Sequence, residues 1–244
     1  MLQENERVDY LPGSPLQIIQ SPEIFNFSLD AVLLARFAYL PIQKGRILDL
    51  CTGSGAVPLL VSERTKGHIT AVDIQPILAD MTKRSVALNH LADQIDVIEG
   101  NLKDMPSRFG HGIFDIVTCN PPYFPVPEVL HRNERDTLAI ARHEIECTLE
   151  DVVQSSSQLL RAGGKFAMVH RPERLVSILD TMQRYRLAPK RMQLVYPRAN
   201  KDANTLLIEG TKDGKPGLTI LPPLFIYGEG NAYTEEAHRQ IYGE

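Results

Sequence analysis

The chain lacks the features that mark disulfide-bonded, zinc-bound or membrane-spanning proteins. Its three cysteines, Cys51, Cys119 and Cys147, are widely spaced and form no CxxC pair, so we expect reduced thiols rather than a disulfide framework or a zinc site. The chain begins without a basic segment that leads into an apolar one, and no apolar run approaches the length that spans a bilayer. The sequence therefore predicts a cytoplasmic protein with no membrane partner.

Two common nucleotide-binding signatures are also missing, and the overall charge is not basic. The chain has no GxxxxGK[ST] phosphate loop, and no tyrosine is followed four residues later by lysine. A net charge of −4 argues against a protein that coats nucleic acid indiscriminately. One basic stripe still runs from position 184 to 201 without an Asp or Glu, and it is either a solvated face or a phosphate-binding surface. Its members are Arg184, Arg186, Lys190, Arg191, Arg198 and Lys201.

The order of apolar and amphipathic segments predicts an α/β fold. Strand-like runs alternate with helical patterns, which indicates a seven-stranded, mostly parallel sheet with helices on both faces. The predicted strands are residues 46–50, 68–73, 95–99, 113–119, 165–170, 192–196 and 205–210.

We expect one domain over residues 1–244, with three segments outside the sheet. Residues 1–45 are predicted to form a short helical extension, in which Ser28 caps a helix over 29–40. Residues 124–147 form an insertion, and residues 211–244 form a tail that packs partially. Gly163 and Gly164 are predicted to end a helix that spans 149–160.

A glycine-rich turn over residues 49–55 follows the first of these strands and opens a helix. Such glycines let a ligand approach the backbone and leave amides at a helix start available. Asp73 ends the next strand, where a carboxylate takes the hydroxyls of a ribose, and Asn101 follows the third, where its oxygen accepts from an adenine amino group. These residues predict an adenosine-containing cofactor, although each also fits a turn or a helix cap. The candidate cofactor contacts are Asp49, Thr52, Gly53, Gly55, Asp73, Ile74, Asn101, Leu102 and Asn120.

The acidic start of the glycine-rich turn favours one cofactor. Pro58 stands where a dinucleotide GxGxxG motif has its third glycine, and Asp49 would repel a pyrophosphate. A carboxylate can instead receive the positively charged amino group of S-adenosylmethionine, directly or through water. We therefore predict S-adenosylmethionine as the cofactor and no metal.

Asn120-Pro121-Pro122-Tyr123 follows the fourth predicted strand and is the candidate catalytic motif. Its prolines fix φ and stiffen the turn. An Asn oxygen and a proline carbonyl that accept the two hydrogens of an amino group would make its nitrogen more nucleophilic, and the tyrosine ring offers a stacking face. The structural alternative is that Asn-Pro and Pro-Pro merely punctuate a turn.

These motifs, in this order, resemble those of class I S-adenosylmethionine-dependent methyltransferases, which implies a Rossmann-like fold. More narrowly, residues 27–34, 120–124, 141–144 and 171–175 resemble the bacterial family that methylates N6 of the adenine beside the anticodon of a valine tRNA. That resemblance covers nearly the whole chain and implies an RNA partner held by the protein's own surface. Two residues depart from the pattern: Asn101 stands where the superfamily often has Asp, and Cys51 where many relatives have Gly or Ala.

The motifs lead to a mechanistic hypothesis. The target adenine leaves its stack and packs on Tyr123, Phe124 and the insertion close over it, and Arg132 and Arg191 contact phosphates. The alternatives left open are a guanine-N2 rRNA methyltransferase, an enzyme that methylates a protein glutamine, and a cofactor-binding module that acts through a partner.

Overall fold

The computed structural model describes residues 2–22, 24, 26–123 and 147–243. Phe124, Arg132 and most of the predicted insertion lie outside the described residues. Within the described part of the chain, no helix is both long and apolar enough to cross a membrane.

The centre of the molecule is a mostly parallel sheet, as predicted. Its seven longer strands follow the order β5-β4-β3-β6-β7-β9-β8, and β9 runs antiparallel to both of its neighbours. Two strands of two residues each, β10 and β11, pair with β8 at the edge of the sheet. The prediction of seven strands missed them. The bounds are β3 Arg46–Leu50, β4 His68–Asp73, β5 Ile95–Glu99, β6 Phe114–Cys119, β7 Leu160–His170, β8 Leu187–Tyr196, β9 Thr205–Lys212, β10 Thr219–Ile220 and β11 Leu224–Phe225.

Helices cover both faces of this sheet because its central strands are apolar on both sides. In β3, Ile47 belongs to one buried cluster and Leu48 to the other, and Ile116 and Val117 divide in the same way in β6. One face carries α1 Leu29–Phe37, α2 Ala56–Ser62, α3 Pro76–Leu88 and α7 Glu235–Tyr242, and the other carries α4 Met105–Phe109, α5 Leu149–Leu159 and α6 Leu175–Arg184. Short 3-10 helices span Leu102–Asp104 and Pro172–Arg174.

The strand order places the predicted motifs together. The chain moves outward from β3 to β4 on one side, and β6 pairs with β3 on the other. Ligands of open α/β sheets bind in the crevice at the carboxyl ends of the strands where the order reverses in this way. The glycine-rich turn, Asp73, Asn101 and Asn120 all stand at or just beyond those ends.

The N-terminal segment corrects the prediction of a helical extension. Two strands, β1 Arg7–Tyr10 and β2 Gln17–Gln20, pair antiparallel ahead of α1. Their position depends on α3, because the backbone N–H of Ile19 donates to Ser85 Oγ at 3.0 Å. Four-residue strands fixed by a partner that far along the chain leave little local signal. The predicted helix over 29–40 also ends earlier, at Phe37.

The predicted helix stop at Gly163 and Gly164 is wrong. The helix ends at Leu159, and β7 begins at the next residue and runs through both glycines. Gly163 has a φ of +79°, and the pairing of β6 with β7 shifts register beyond Phe114. The glycines therefore serve an irregular strand start rather than a helix end.

The C-terminal tail packs more firmly than predicted. Leu224 and Ile226 are buried beside β8, and Ala237 and Ile241 of α7 are buried against the cluster that contains α1 and α2. Thr234 begins α7, because its side chain accepts from the N–H of Ala237 at 3.0 Å. The tail is thus part of the hydrophobic core.

Candidate active site

A cavity of about 370 Å³ opens at the carboxyl ends of β3, β4, β5 and β6. Ten of the residues predicted from the sequence line it. They are Thr52, Gly53, Asp73, Ile74, Asn101, Leu102, Asn120, Pro121, Pro122 and Tyr123. Asp49, Gly55 and Arg191 do not belong to this lining, and each has another position described below.

The glycine-rich turn has a left-handed backbone that links β3 to α2. Gly53 and Gly55 have φ values of +58° and +93°, a region where only glycine is unstrained. A Cβ atom on Gly55 would lie 2.8 Å from Thr82 Cγ2, so this glycine allows the turn to pack on α3. Thr82 also donates from its hydroxyl to the Gly53 carbonyl at 2.9 Å. Gly55 therefore shapes the turn, and Gly53 lines the cavity.

Asp73 connects this turn to the start of α3. One carboxylate oxygen accepts from the N–H of Gly53 at 2.8 Å and the other from the N–H of Gln75 at 2.9 Å. Burial raises its pKa to about 6, although these two hydrogen bonds favour the charged form. A carboxylate offers about four lone-pair sites, so the structural role leaves capacity for ribose hydroxyls.

Asp49 lies beneath the turn rather than in the cavity wall. It is 1% exposed, and one oxygen accepts from the hydroxyl of Thr118 on the neighbouring strand β6. Burial raises its pKa to about 7. Hydrogen bonds from the Thr118 and Thr52 hydroxyls act in the opposite direction and favour the charged form. Contact with a ligand would therefore run through an intermediary such as water, the second of the two routes that the sequence left open.

Two buried oxygens at the cavity have no hydrogen-bond partner among the residues that the structure describes. They are Ser54 Oγ and Gln75 Oε1, both from residues that line the cavity. Buried polar atoms without partners are rare in folded proteins and call for a ligand, a water or an ion. The site therefore fits a polar ligand that carries hydroxyl and amino groups.

Asn101 both lines the cavity and caps a helix. Its Oδ1 accepts from the N–H of Lys103 at 3.0 Å, at the start of the 3-10 helix Leu102–Asp104. The helix-cap alternative is thus observed. An amide oxygen has a second lone pair, and the predicted contact with adenine stays a prediction.

The Asn-Pro-Pro-Tyr turn forms another part of the cavity wall. Asn120 Oδ1 accepts a hydrogen bond from the Tyr123 hydroxyl, which also lies 3.1 Å from Asp30 Oδ2. The tyrosine ring is 5.3 Å from the His170 ring and 5.2 Å from the Arg171 guanidinium. Burial raises the pKa of Tyr123 well above its ordinary value, so the phenol is neutral and carries its hydrogen.

Sequence reasoning gave no role to some residues that the fold brings into the lining. Asp30 and Arg171 are the clearest, and both fall within segments that carry the family resemblance. Cys51 and Cys147 also line the cavity, whereas Cys119 is fully buried. Cys119 and Cys147 belong to one buried core cluster and Cys51 packs against it, and all three are free thiols, as predicted.

The basic stripe is largely satisfied within the protein. Arg191 donates to the Phe37 carbonyl, ion-pairs with Glu209 at 3.1 Å and stacks its guanidinium 4.3 Å from the Phe37 ring. A cation at this position compensates the C-terminal end of the α1 dipole. In the free protein the Arg191 guanidinium is thus engaged within the chain, and its phosphate contact stays a prediction. Other members pair likewise, among them Arg184 with Glu150, Arg186 with Asp213 and Arg198 with the Gly228 carbonyl.

Comparisons with known proteins agree with this geometry. A family model described as a methyltransferase domain matches residues 47–135. A solved structure of a predicted O-methyltransferase from Agrobacterium tumefaciens superposes with a TM-score of 0.69 at 24% identity, over 88% of this chain and 96% of that one. At that identity the structural match shows the fold. The fold and the site together define a class I S-adenosylmethionine-dependent methyltransferase.

Sequence relatives narrow the class. The tRNA1(Val) (adenine(37)-N6)-methyltransferase of Parabacteroides distasonis is 30% identical over 210 residues, which cover 85% of each chain. The protein of the same name from Porphyromonas gingivalis is 29% identical over 165 residues, or 66% of this chain and 64% of its own length. The match thus spans just under two thirds of the Porphyromonas relative. The chain belongs to this methyltransferase family.

Proposed function

We propose that the protein transfers a methyl group from S-adenosylmethionine to the exocyclic N6 amino group of an adenine in tRNA. One observation carries the proposal: Asp73, Asn101 and Asn120, each placed by a different strand, line the same cavity. Groups suited to an adenosine and a group suited to an amino acceptor therefore stand within one site.

The cavity residues fit the cofactor in charge and in hydrogen-bonding capacity. Asp73 is placed to accept from ribose hydroxyls, and Asn101 to accept from the adenine amino group. Ser54 and Gln75 contribute buried oxygens that lack partners among the described residues, and Asp49 adds a buried carboxylate beneath the glycine-rich turn. When bound, S-adenosylmethionine supplies an electrophilic methyl group on a positively charged sulfur.

Asn120 and Pro121 are proposed to orient the acceptor nitrogen. The lone pair of an aromatic amine is delocalised into its ring, and two rigid oxygen acceptors favour a more pyramidal, nucleophilic nitrogen. The prolines hold these oxygens in place without induced motion. No strong general base is required, because the nitrogen becomes much more acidic once it is methylated. The nearby His170 would be only a weak base, since burial lowers its pKa to about 4.

The choice of adenine in tRNA rests on the names of the relatives. A base flipped out of an anticodon loop costs a few kcal/mol, less than one removed from a duplex. Tyr123 provides an aromatic surface beside Asn120 on which such a base can pack. A tRNA substrate would place the enzyme in the cytoplasm.

The test incubates the purified chain with methyl-labelled S-adenosylmethionine and either total tRNA, ribosomal RNA or a release factor. We expect label in tRNA, and N6-methyladenosine on mass spectrometry of its nucleosides. N2-methylguanosine in rRNA, or label on a protein glutamine, would assign the activity to one of the rival substrates. No transfer to any of the three would favour a cofactor-binding module. The same nucleoside analysis on cells that lack the protein checks the assignment in vivo.

A further inference from the structure

We propose that Asp30 is a positioning residue, which draws the hydrogen of the Tyr123 hydroxyl to itself and so leaves the amide oxygen of Asn120 free to receive the acceptor amino group. The inference rests on the proposed function for the role of Asn120. It does not depend on which amino substrate the enzyme uses.

Three separate parts of the fold meet at Asp30. The residue is in the first turn of α1 and lines the cavity. Its Oδ2 lies 3.1 Å from the Tyr123 hydroxyl, and its Oδ1 accepts from the Thr205 hydroxyl at 3.1 Å. Thr205 is the first residue of β9. The carboxylate is therefore held from β9 on one side and faces the Asn-Pro-Pro-Tyr turn on the other.

Among the residues that the structure describes, two acceptors lie within reach of the Tyr123 phenol, which has only one hydrogen. The hydroxyl is 2.5 Å from Asn120 Oδ1 and 3.1 Å from Asp30 Oδ2, so the shorter contact in the free protein is with Asn120. When it donates to Asn120, one lone pair of the amide oxygen is occupied and the oxygen is a poorer acceptor for a substrate N–H. When it donates to Asp30, both lone pairs of that oxygen remain available.

The carboxylate is the stronger competitor for this hydrogen. Hydrogen bonds to an ionised acceptor are roughly twice as strong as those between neutral groups. The first turn of a helix also stabilises negative charge, and Asp30 is the acidic residue in the first turn of α1. Once an amino group competes for the Asn120 oxygen, the phenol hydrogen has a favourable alternative partner in Asp30.

The first measurement compares Asp30→Asn, Tyr123→Phe and the double variant. An amide at position 30 is a neutral, weaker acceptor, so the phenol returns to Asn120, and we expect kcat to fall about tenfold while calorimetric affinity for S-adenosylhomocysteine stays within about twofold. The Tyr123→Phe variant has no hydroxyl hydrogen that Asp30 could draw away from Asn120. Asp30→Asn should therefore have little further effect in the Tyr123→Phe background.

Independent effects of the two substitutions on kcat would overturn the proposal, as would an Asp30→Asn variant with the turnover of the parent enzyme. Glu235→Gln is the matched control, because Glu235 is an exposed acidic residue in the first turn of α7. Thermal unfolding of all variants separates lost positioning from lost fold. Activity is measured on whichever substrate the parent enzyme methylates, so label on glutamine instead of tRNA would end the tRNA proposal and leave this test intact.

A second readout needs no turnover. The 13C chemical shift of Tyr123 Cζ reports the hydrogen bond of the phenol, and its signal is identified by its loss in Tyr123→Phe. We expect the signal to move in Asp30→Asn and to stay in place in Glu235→Gln. An unmoved signal in Asp30→Asn would show that the phenol does not bond to Asp30, and the proposal would then be wrong even if no substrate is found.

Discussion

The cavity at the carboxyl ends of the central strands and the basic stripe beside them are both rich in polar side chains, but they differ in how those side chains are satisfied. In the cavity, oxygens of Ser54 and Gln75 are buried without partners among the described residues. In the stripe, Arg184 and Arg191 engage carboxylates of the same chain. Polar groups that the fold leaves unpaired are available to a ligand, whereas paired groups have already been used for stability.

The two regions also differ in what their charges do to the free protein. Burial raises the pKa of Asp49 to about 7 and of Asp73 to about 6. A carboxyl group with a raised pKa adds its full stability below its ordinary pKa near 3.8, and this contribution is lost as the pH rises through the folded-state value. At neutral pH the buried carboxylates of the cavity therefore lower the stability of the ligand-free protein, whereas the ion-paired arginines of the stripe raise it.

The largest expected effect tests whether Asn120, in the cavity wall, takes part in the chemistry. Asn120→Ala removes an oriented oxygen acceptor and should lower kcat at least about tenfold, and up to about a hundredfold. Affinity for S-adenosylmethionine should change little, because Asp73 and the glycine-rich turn remain. Steady-state kinetics and calorimetry on the same preparation measure both quantities. Equal turnover in the variant and the parent would contradict the assigned role of Asn120.

Much of this site follows from local sequence, because its residues sit where a strand ends. The pattern of apolar runs predicts β3, β4 and β5 to the residue, and the motif residues come immediately after such strands. Periodicity and glycine or proline punctuation are short-range signals, so they report this kind of position well.

Features that depend on distant partners were not predictable. Arg191 belongs to an acid-free run in the sequence, yet the fold sets it against Glu209 and the end of α1. Asp30 looks like an ordinary acidic residue in a first helical turn until β6 and β9 bring Tyr123 and Thr205 to it. Partners that are 18 to 175 residues apart along the chain leave no periodic trace.

The next effect is a pH dependence that belongs to the cavity alone. In the proposed function, ribose hydroxyls donate to the ionised form of Asp73, so binding would favour the carboxylate and lower its pKa. Affinity for S-adenosylhomocysteine should therefore be full above about pH 7 and should fall about tenfold between pH 7 and pH 5, since protonation at a pKa of about 6 removes the acceptor. Isothermal calorimetry across this range measures it.

Asp49 provides the control for that titration, because its pKa of about 7 acts in the same direction. Asp49→Asn removes this group but keeps the shape of the site. If Asp73 is the ribose acceptor, the variant should still lose affinity below about pH 6. If the affinity of the variant does not change with pH, the pH dependence of the parent enzyme comes from Asp49 instead.

The smallest expected effect tests the stripe. Arg191→Ala should lower the free energy of unfolding by about 1 kcal/mol, a modest cost for a partly exposed ion pair. The Glu209 carboxylate keeps other partners in the variant, because it accepts from the Tyr39 N–H at 2.9 Å and lies 3.9 Å from the Lys165 ammonium group. Chemical denaturation measures the change, and Arg186→Ala, whose side chain is 74% exposed, should have a smaller effect.

The same variant separates the stripe's structural role from RNA binding. A lysine or arginine that contacts a phosphate releases a counterion, and its loss reduces the slope of log K against log salt by about one. Because the Arg191 guanidinium already has Glu209 and the Phe37 carbonyl as partners, the slope for tRNA binding should stay unchanged in Arg191→Ala. A slope lowered by one would mean that the arginine leaves Glu209 for a phosphate when RNA binds, and the contrast between a paired stripe and an unpaired cavity would then hold only for the free protein.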